Sequence, residues 1–164
     1  MNTKLSFKIG KNSVGDKAKC LIIAEISANH NNNFTTIKKL ITSAKKSGAD
    51  IVKIQTYTAD TITINSKKKD FKIKNSNPWS KQKYLWNLYK KAETSNFLTK
   101  KIFRFCKKIG VEVFSSPFDI NAVNFLEKLN CPAYKIASPE INHIPLIERI
   151  SLTKKPIILS LGLA

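Results

Sequence analysis

Short apolar runs alternate with amphipathic stretches along the whole chain. Near the start, Leu5, Phe7 and Ile9 alternate with polar residues and the chain then turns through Gly10 to Gly15, which predicts a short hairpin over residues 1–20. Leu21–Ser27 (LIIAEIS) reads as a buried strand. Thr35–Ser47 reads as a helix, with Ile37, Leu40, Ile41 and Ala44 on one face and Gly48 as its stop. A strand is predicted over Ala49–Thr56, followed by a polar, Lys-rich excursion, Asp60–Ser80, expected to form a loop over one end of a sheet. The segment from Lys81 to Ile109 is helical in pattern, broken near Thr94–Ser95 and ended by Gly110. VEVFSSP (residues 111–117) is the next strand, and Ile120–Leu129 a helix opened by Asp119. AYKIAS (133–138) and PIILSLG (156–162) are strands on either side of a helix at Ile144–Leu152. This alternation predicts right-handed βαβ units on a parallel sheet, which doubly wound sheets and barrels both satisfy.

Composition narrows the class. Of 164 residues, 42% are apolar and 24% charged, which excludes a collagen-like or wholly disordered chain. No apolar run approaches the ~18 residues of a membrane helix. The opening MNTKLSFKIG lacks the apolar core of a signal peptide, so a cytoplasmic protein is expected. Cys20, Cys106 and Cys131 are odd in number and lack metal-type spacing; they read as small core residues of a reducing compartment. The net charge of +18 raises the question of nucleic acid. Of the 29 basic residues, however, only Arg104 and Arg149 are Arg, and the lysines are scattered in pairs along helical stretches. A solvated Lys-rich surface is the expectation, with no specific nucleic-acid partner.

The polar residues inside the strands carry the chemistry. A parallel sheet covered on both faces should be almost wholly apolar. Each predicted strand nevertheless carries polar residues toward its carboxyl end: Glu25, Lys53 with Gln55, Ser115 with Ser116, Lys135 with Ser138, and Ser160. That end is where α/β folds build their active sites. Period-two alternation puts Lys53 and Gln55 on one face, opposite Val52 and Ile54; in a barrel both lysines then point inward. Buried ammonium groups need partners, and Glu25 and Glu140 are the acids nearest the strand ends. Three arrangements fit: a lysine paired with Glu25 and the other reaching solvent, a Schiff-base lysine, or a two-lysine clamp for a phosphate and a carboxylate. The accompanying serines favour the clamp.

The segments IIAEISANHN (22–31), KIQTYTADTIT (53–63), FSSPFD (114–119), AYKIASPEINHIPLIE (133–148) and KPIILSLGLA (155–164) resemble the sialic acid synthase family. Ser-Ala-Asn-His after Glu25, Gln-Thr-Tyr-Thr, the Asp70-Phe71 insert with Trp79 and the Ser-Ser-Pro motif are most similar to pseudaminic acid synthases. The resemblance implies a (β/α)8 TIM-barrel fold, here incomplete with about five of eight βα units over residues 21–164, behind the hairpin. It implies condensation of phosphoenolpyruvate with an N-acylated amino sugar to a nonulosonic acid, pseudaminic acid first and N-acetylneuraminate or legionaminate as alternatives. Lys53, Ser116, Lys135, Ser138 and Ser160 match the phosphoenolpyruvate clamp. Glu25 matches the catalytic carboxylate at the acceptor carbonyl, and Gln55 and Glu140 match the sugar side more weakly. A divalent metal (Mn or Mg) and a homodimer are implied for the full family enzyme. The family's metal histidines lie on later strands, so His30 and His143 are expected to be loop or cap residues. Ser160-Leu161-Gly162-Leu163 stands where the family has Ser-Thr-Gly-Met, and Asn32 where it has Gly, so that loop is expected to bend differently. A polypeptide of these residues alone is expected to be neither catalytic nor independently well folded, and a degenerate, non-catalytic barrel fragment is the alternative of another class.

Overall fold

The computed structural model of the chain describes residues 6–27 and 30–162. An antiparallel hairpin, β1 (Ser6–Ile9) and β2 (Asn12–Gly15), precedes five parallel strands in the order β3 (Ile23–Glu25), β4 (Ile51–Thr56), β5 (Glu112–Pro117), β6 (Tyr134–Ile136) and β7 (Ile157–Leu159). The five curl into a half-barrel. Helix α1 (Phe34–Lys46) links β3 to β4. The helices α2 (Ala59–Ile62), α3 (Leu85–Ala92) and α4 (Asn96–Ile109) lie between β4 and β5, and α5 (Ile120–Glu127) and α6 (Ile144–Ser151) follow β5 and β6. No helix among the described residues is long and apolar enough to cross a membrane.

Local chemistry sets the helix ends. The Asn33 side chain accepts from Thr36 N–H at 3.0 Å and opens α1, while Lys45 and Lys46 sit in its last turn, where cations suit the helix dipole. The Ser95 hydroxyl caps α4, and Gly110, at φ +70°, ends it. Ile37 and Ile41 of α1 and Ile102 and Cys106 of α4 bury against Val52, Ile54 and Val113, so the apolar parity of β4 faces the helices. Lys53 and Gln55 therefore face the concave side. A second cluster joins α5 and α6 to β6 through Val123, Leu126, Leu146, Ile150, Tyr134 and Ile136. Ile9 is buried in that cluster together with Ile51 and Ala133, which closes the amino-terminal end of the half-barrel with the hairpin.

Four expectations change. Residues 12–15, expected to turn, form β2; the bend is the two-residue Gly10–Lys11 link, and Leu5 lies outside the described residues. Gly10 is at φ +57°, the left-handed region that favours glycine. The run Leu21–Ser27 is paired over only three residues and is not buried along its length: Ile22 is 53% exposed, because β3 pairs with β4 alone. The excursion Asp60–Ser80 is folded rather than open. It holds α2 and a 3-10 turn at Lys69–Phe71, buries Ile73, and is tied to α3 by the Trp86 indole N–H donating to Asp60 at 2.8 Å. A second such turn, Ser80–Gln82, delays the helix expected from Lys81 until Leu85.

Candidate functional site

The register of the sheet aligns the inward polar residues. Glu25 pairs opposite Lys53, and Gln55 opposite Ser116, while Ser115 is opposite Tyr134, which sets Ser116 beside Lys135. Ser138 and Glu140 lie on a 3-10 turn immediately after β6. Ser160 follows β7 directly, and its N–H donates to the Ile136 carbonyl at 3.1 Å. The carboxyl ends of all five strands thus contribute to one concave face.

Charge is unevenly satisfied there. Lys53, with only 12% of its side chain exposed, forms an ion pair with Glu25 Oε2. Glu25 Oε1 accepts from Ser27 N–H at 3.0 Å and from Ser27 Oγ at 2.6 Å, so its carboxylate is fully engaged. Ser27, at φ +42°, was not singled out in the sequence; only the positive φ of a residue two beyond Glu25 reveals its role. The pairing alternative therefore holds for Lys53. It does not hold for Lys135, which is half-buried and makes no salt bridge among the described residues. Burial and then the neighbouring Lys53 charge hold the Lys135 ammonium below its ordinary pKa, opposed by Glu25 and Glu140. Glu140 is pushed up, chiefly by burial.

Two polar atoms on this face are buried with no partner among the described residues, Ser116 Oγ and Glu140 Oε2. Such atoms cost about 1–3 kcal/mol each when left unpaired. Ser138 Oγ accepts from Gly162 N–H at 3.1 Å and keeps its own proton to donate. Ser115 belongs elsewhere. Its hydroxyl is 2.8 Å from Thr56 Oγ1 on the helix-facing side, in the same register row as Ile54, where it satisfies the buried strand ends.

The two histidines border the cluster: the His143 N–H donates to the Glu140 carbonyl at 3.0 Å, and the His30 ring bonds the backbone of Ser27. His143 is exposed at the start of α6, and its side chain makes no cap bond. His30 is buried; its Nδ1 accepts from Asn32 N–H at 3.1 Å, and Nε2 lies 3.5 Å from Thr94 Oγ1. Asn32 adopts φ +56°, the region a glycine favours, and its amide donates to the Lys91 and Glu93 carbonyls. That loop needs no glycine to make its turn. Leu161 is exposed and Leu163 lies outside the described residues. No group of three or more His, Cys, Asp or Glu among the described residues could hold a metal ion.

Burial lowers the His30 pKa from 6.5, so the unfolded chain binds a proton that the folded loop resists. Stability is therefore fully present above pH 6.5 and declines as pH falls from there toward the folded pKa. The melting temperature is expected to drop more steeply below pH 6.5 in the parent than in His30→Asn. Parallel pH profiles for the two would remove His30 as the cause.

Comparison with known proteins places these observations. The NeuB family pattern matches residues 40–164. The chain is 47% identical over 143 residues to the pseudaminic acid synthase of Helicobacter pylori, an alignment covering 87% of this chain and 42% of that protein. It is 34% identical over 150 residues to the N,N'-diacetyllegionaminic acid synthase of Legionella pneumophila, covering 91% and 41%. Among solved structures, N-acetylneuraminic acid synthetase from Leptospira borgpetersenii, in complex with citrate, superposes with a TM-score of 0.82 at 25% identity, covering 98% of this chain and 51% of that one. The chain thus spans about two-fifths of the length of the curated relatives it matches.

Proposed function

We propose that this chain, which belongs to the NeuB family, carries the phosphoenolpyruvate-binding side of a nonulosonic acid synthase. The observation that supports this most is the pair of buried atoms without a partner among the described residues, Ser116 Oγ and Glu140 Oε2, on the same face as Lys135, which forms no salt bridge among those residues. An anion bearing both a phosphate and a carboxylate meets those needs together. Lys135 and Lys53 supply the charge, and Ser116, Ser138 and Ser160 supply hydroxyl donors. Glu25, fixed by Ser27 and Lys53, faces the acceptor carbonyl. Gln55, and Glu140 with its burial-raised pKa, take the hydroxyl and amide groups of an N-acylated amino sugar. The 47% identity to the Helicobacter pylori protein favours pseudaminic acid as the product over its legionaminate and N-acetylneuraminate counterparts.

The reaction joins the methylene carbon of phosphoenolpyruvate to the aldehyde carbon of the sugar. Water adds to the resulting electron-poor carbon of the former enol, and phosphate leaves. Family resemblance implies a divalent metal at the aldehyde, a closed eight-stranded barrel and a homodimer. The residues described here do not fit a metal: His30 is engaged through both ring nitrogens and His143 stands at a helix start. The roles of this chain are anion binding, charge placement and acceptor orientation.

The test uses the protein that carries this chain, with phosphoenolpyruvate, Mn²⁺ and an N-acylated amino sugar. Phosphate release is expected only when both substrates are present, with a nine-carbon sugar acid as the organic product. Release without the sugar, or borohydride trapping of pyruvate on Lys53 or Lys135, overturns the reading.

A further inference from the structure

A groove of about 840 Å3 lies on the outside of the half-barrel, at the amino end of β5 and so at the far end of that strand from Ser116. It exists because the two helices flanking β5 pack on other neighbours: α4 on α1 and β5, α5 on α6 and β5. The hairpin turn closes one end. There the Lys11 ammonium donates to the Gly110 carbonyl at 2.9 Å, and the Lys11 N–H donates to Glu112 Oε1 at 3.3 Å. No residue of the proposed clamp is in the lining.

Charge in this groove is one-sided. Lys100, Arg104 and Lys107 follow one another at helical spacing on one face of α4, and Lys11 and Lys128 join them in the lining. Among the described residues Glu112 is the one carboxylate in the lining, and none of the five cations forms a salt bridge. Helix α4 carries no acidic residue, so its like charges one turn apart repel without compensation. From Lys100 to Lys107 the row runs about 10 Å, long enough to meet a chain of phosphates. The floor is apolar and aromatic. Phe103 and Phe125 are half-buried, and the Lys100 ammonium lies 5.9 Å from the Phe125 ring centroid, so cation and ring are already side by side. Flat aromatic surface next to fixed positive charge suits a nucleotide: the base stacks and the phosphates take the cations. The volume falls within the ~300–1,000 Å3 of small-molecule sites. A bare phosphate would leave the rings unused, and an uncharged aromatic would leave the cations unused. A second copy of this chain, with its net charge of +18, would bring like charge to the groove.

We propose that this groove binds a nucleoside di- or triphosphate, with Lys100, Arg104 and Lys107 on the phosphates and Phe103 and Phe125 under the base. The proposal does not depend on the reaction assigned to the concave face.

Calorimetric titration of the protein that carries this chain with ADP, inorganic pyrophosphate and adenosine, in buffer without divalent metal, tests it. ADP is expected to bind saturably and at least about tenfold more tightly than either of the other two. CDP should bind within about fivefold of ADP, because stacking does not read base edges. Arg104→Gln and Lys107→Gln change exposed side chains and should each weaken ADP and pyrophosphate alike, by about tenfold. Phe125→Leu should weaken ADP and leave pyrophosphate unchanged. None of the three variants should alter the phosphoenolpyruvate KM, and phosphoenolpyruvate should not displace ADP. Absence of saturable ADP binding, or ADP binding unchanged in both Arg104→Gln and Lys107→Gln, overturns the site. So do three other outcomes. Pyrophosphate binding as tightly as ADP reduces the groove to a general anion patch, competition by phosphoenolpyruvate moves the nucleotide to the clamp, and a single-stranded oligonucleotide binding far more tightly than ADP marks a nucleic-acid surface.

Discussion

If Lys135 clamps phosphoenolpyruvate as proposed, Lys135→Ala is expected to raise the phosphoenolpyruvate KM about ten- to a hundredfold, from the ~1.5–3 kcal/mol of a charge-assisted contact. Lys53→Ala should act at least as strongly, for a different reason. Lys53 is paired with Glu25, so its loss leaves a half-exposed carboxylate held only by Ser27 at the mouth of the proposed anion site. Lys135 strands no partner, because it forms no ion pair among the described residues. Its removal even relieves the repulsion with Lys53 that lowers its own pKa. The two variants therefore separate in stability as well as in kinetics: Lys53→Ala should melt lower than Lys135→Ala. Steady-state kinetics and melting curves on the protein that carries this chain measure both. Unchanged KM in both variants removes the clamp.

These consequences follow from strands whose inward parity was legible in the sequence. Lys53 and Gln55 could be assigned to one face because Val52 and Ile54 occupy the other, and the structure places that apolar pair under α1 and α4. Helices with several apolar residues at helical spacing were also readable, together with the stops at Gly48 and Gly110. Short-range chemistry was enough for these. What was not legible depended on neighbours distant in sequence. Ser115 and Ser116 are alike as letters, yet one bonds Thr56 across the sheet and the other is buried with no partner among the described residues. The exposure of β3 follows from its having one neighbouring strand, which no local pattern records. Ser27 takes its role from a positive φ, and the groove between α4 and α5 arises from each helix packing on a different neighbour. The pairing of Lys53 with Glu25 is one of the three arrangements the sequence allows, and the register that sets them opposite each other brings it about without removing Lys53 from the concave face.

That pairing gives Glu25→Gln an expected signature: turnover falls by about a hundredfold, as for loss of a positioned acid–base group, while phosphoenolpyruvate affinity is unchanged or tighter. The direction follows from the contacts. Glutamine can still accept from Ser27 N–H and Ser27 Oγ through its amide oxygen, so the turn after β3 keeps its shape. The negative charge opposite Lys53 disappears, however, and its ammonium is freed for the anionic substrate. On the proposed function, what is lost is a carboxylate at the acceptor carbonyl, whose influence is expected in the transition state rather than in the binding of phosphoenolpyruvate. A lower kcat with an unchanged or smaller phosphoenolpyruvate KM places Glu25 on the acceptor side. A raised KM with unchanged kcat would mean that Glu25 acts only by orienting Lys53 within the clamp, and the catalytic role assigned to it would have to be withdrawn.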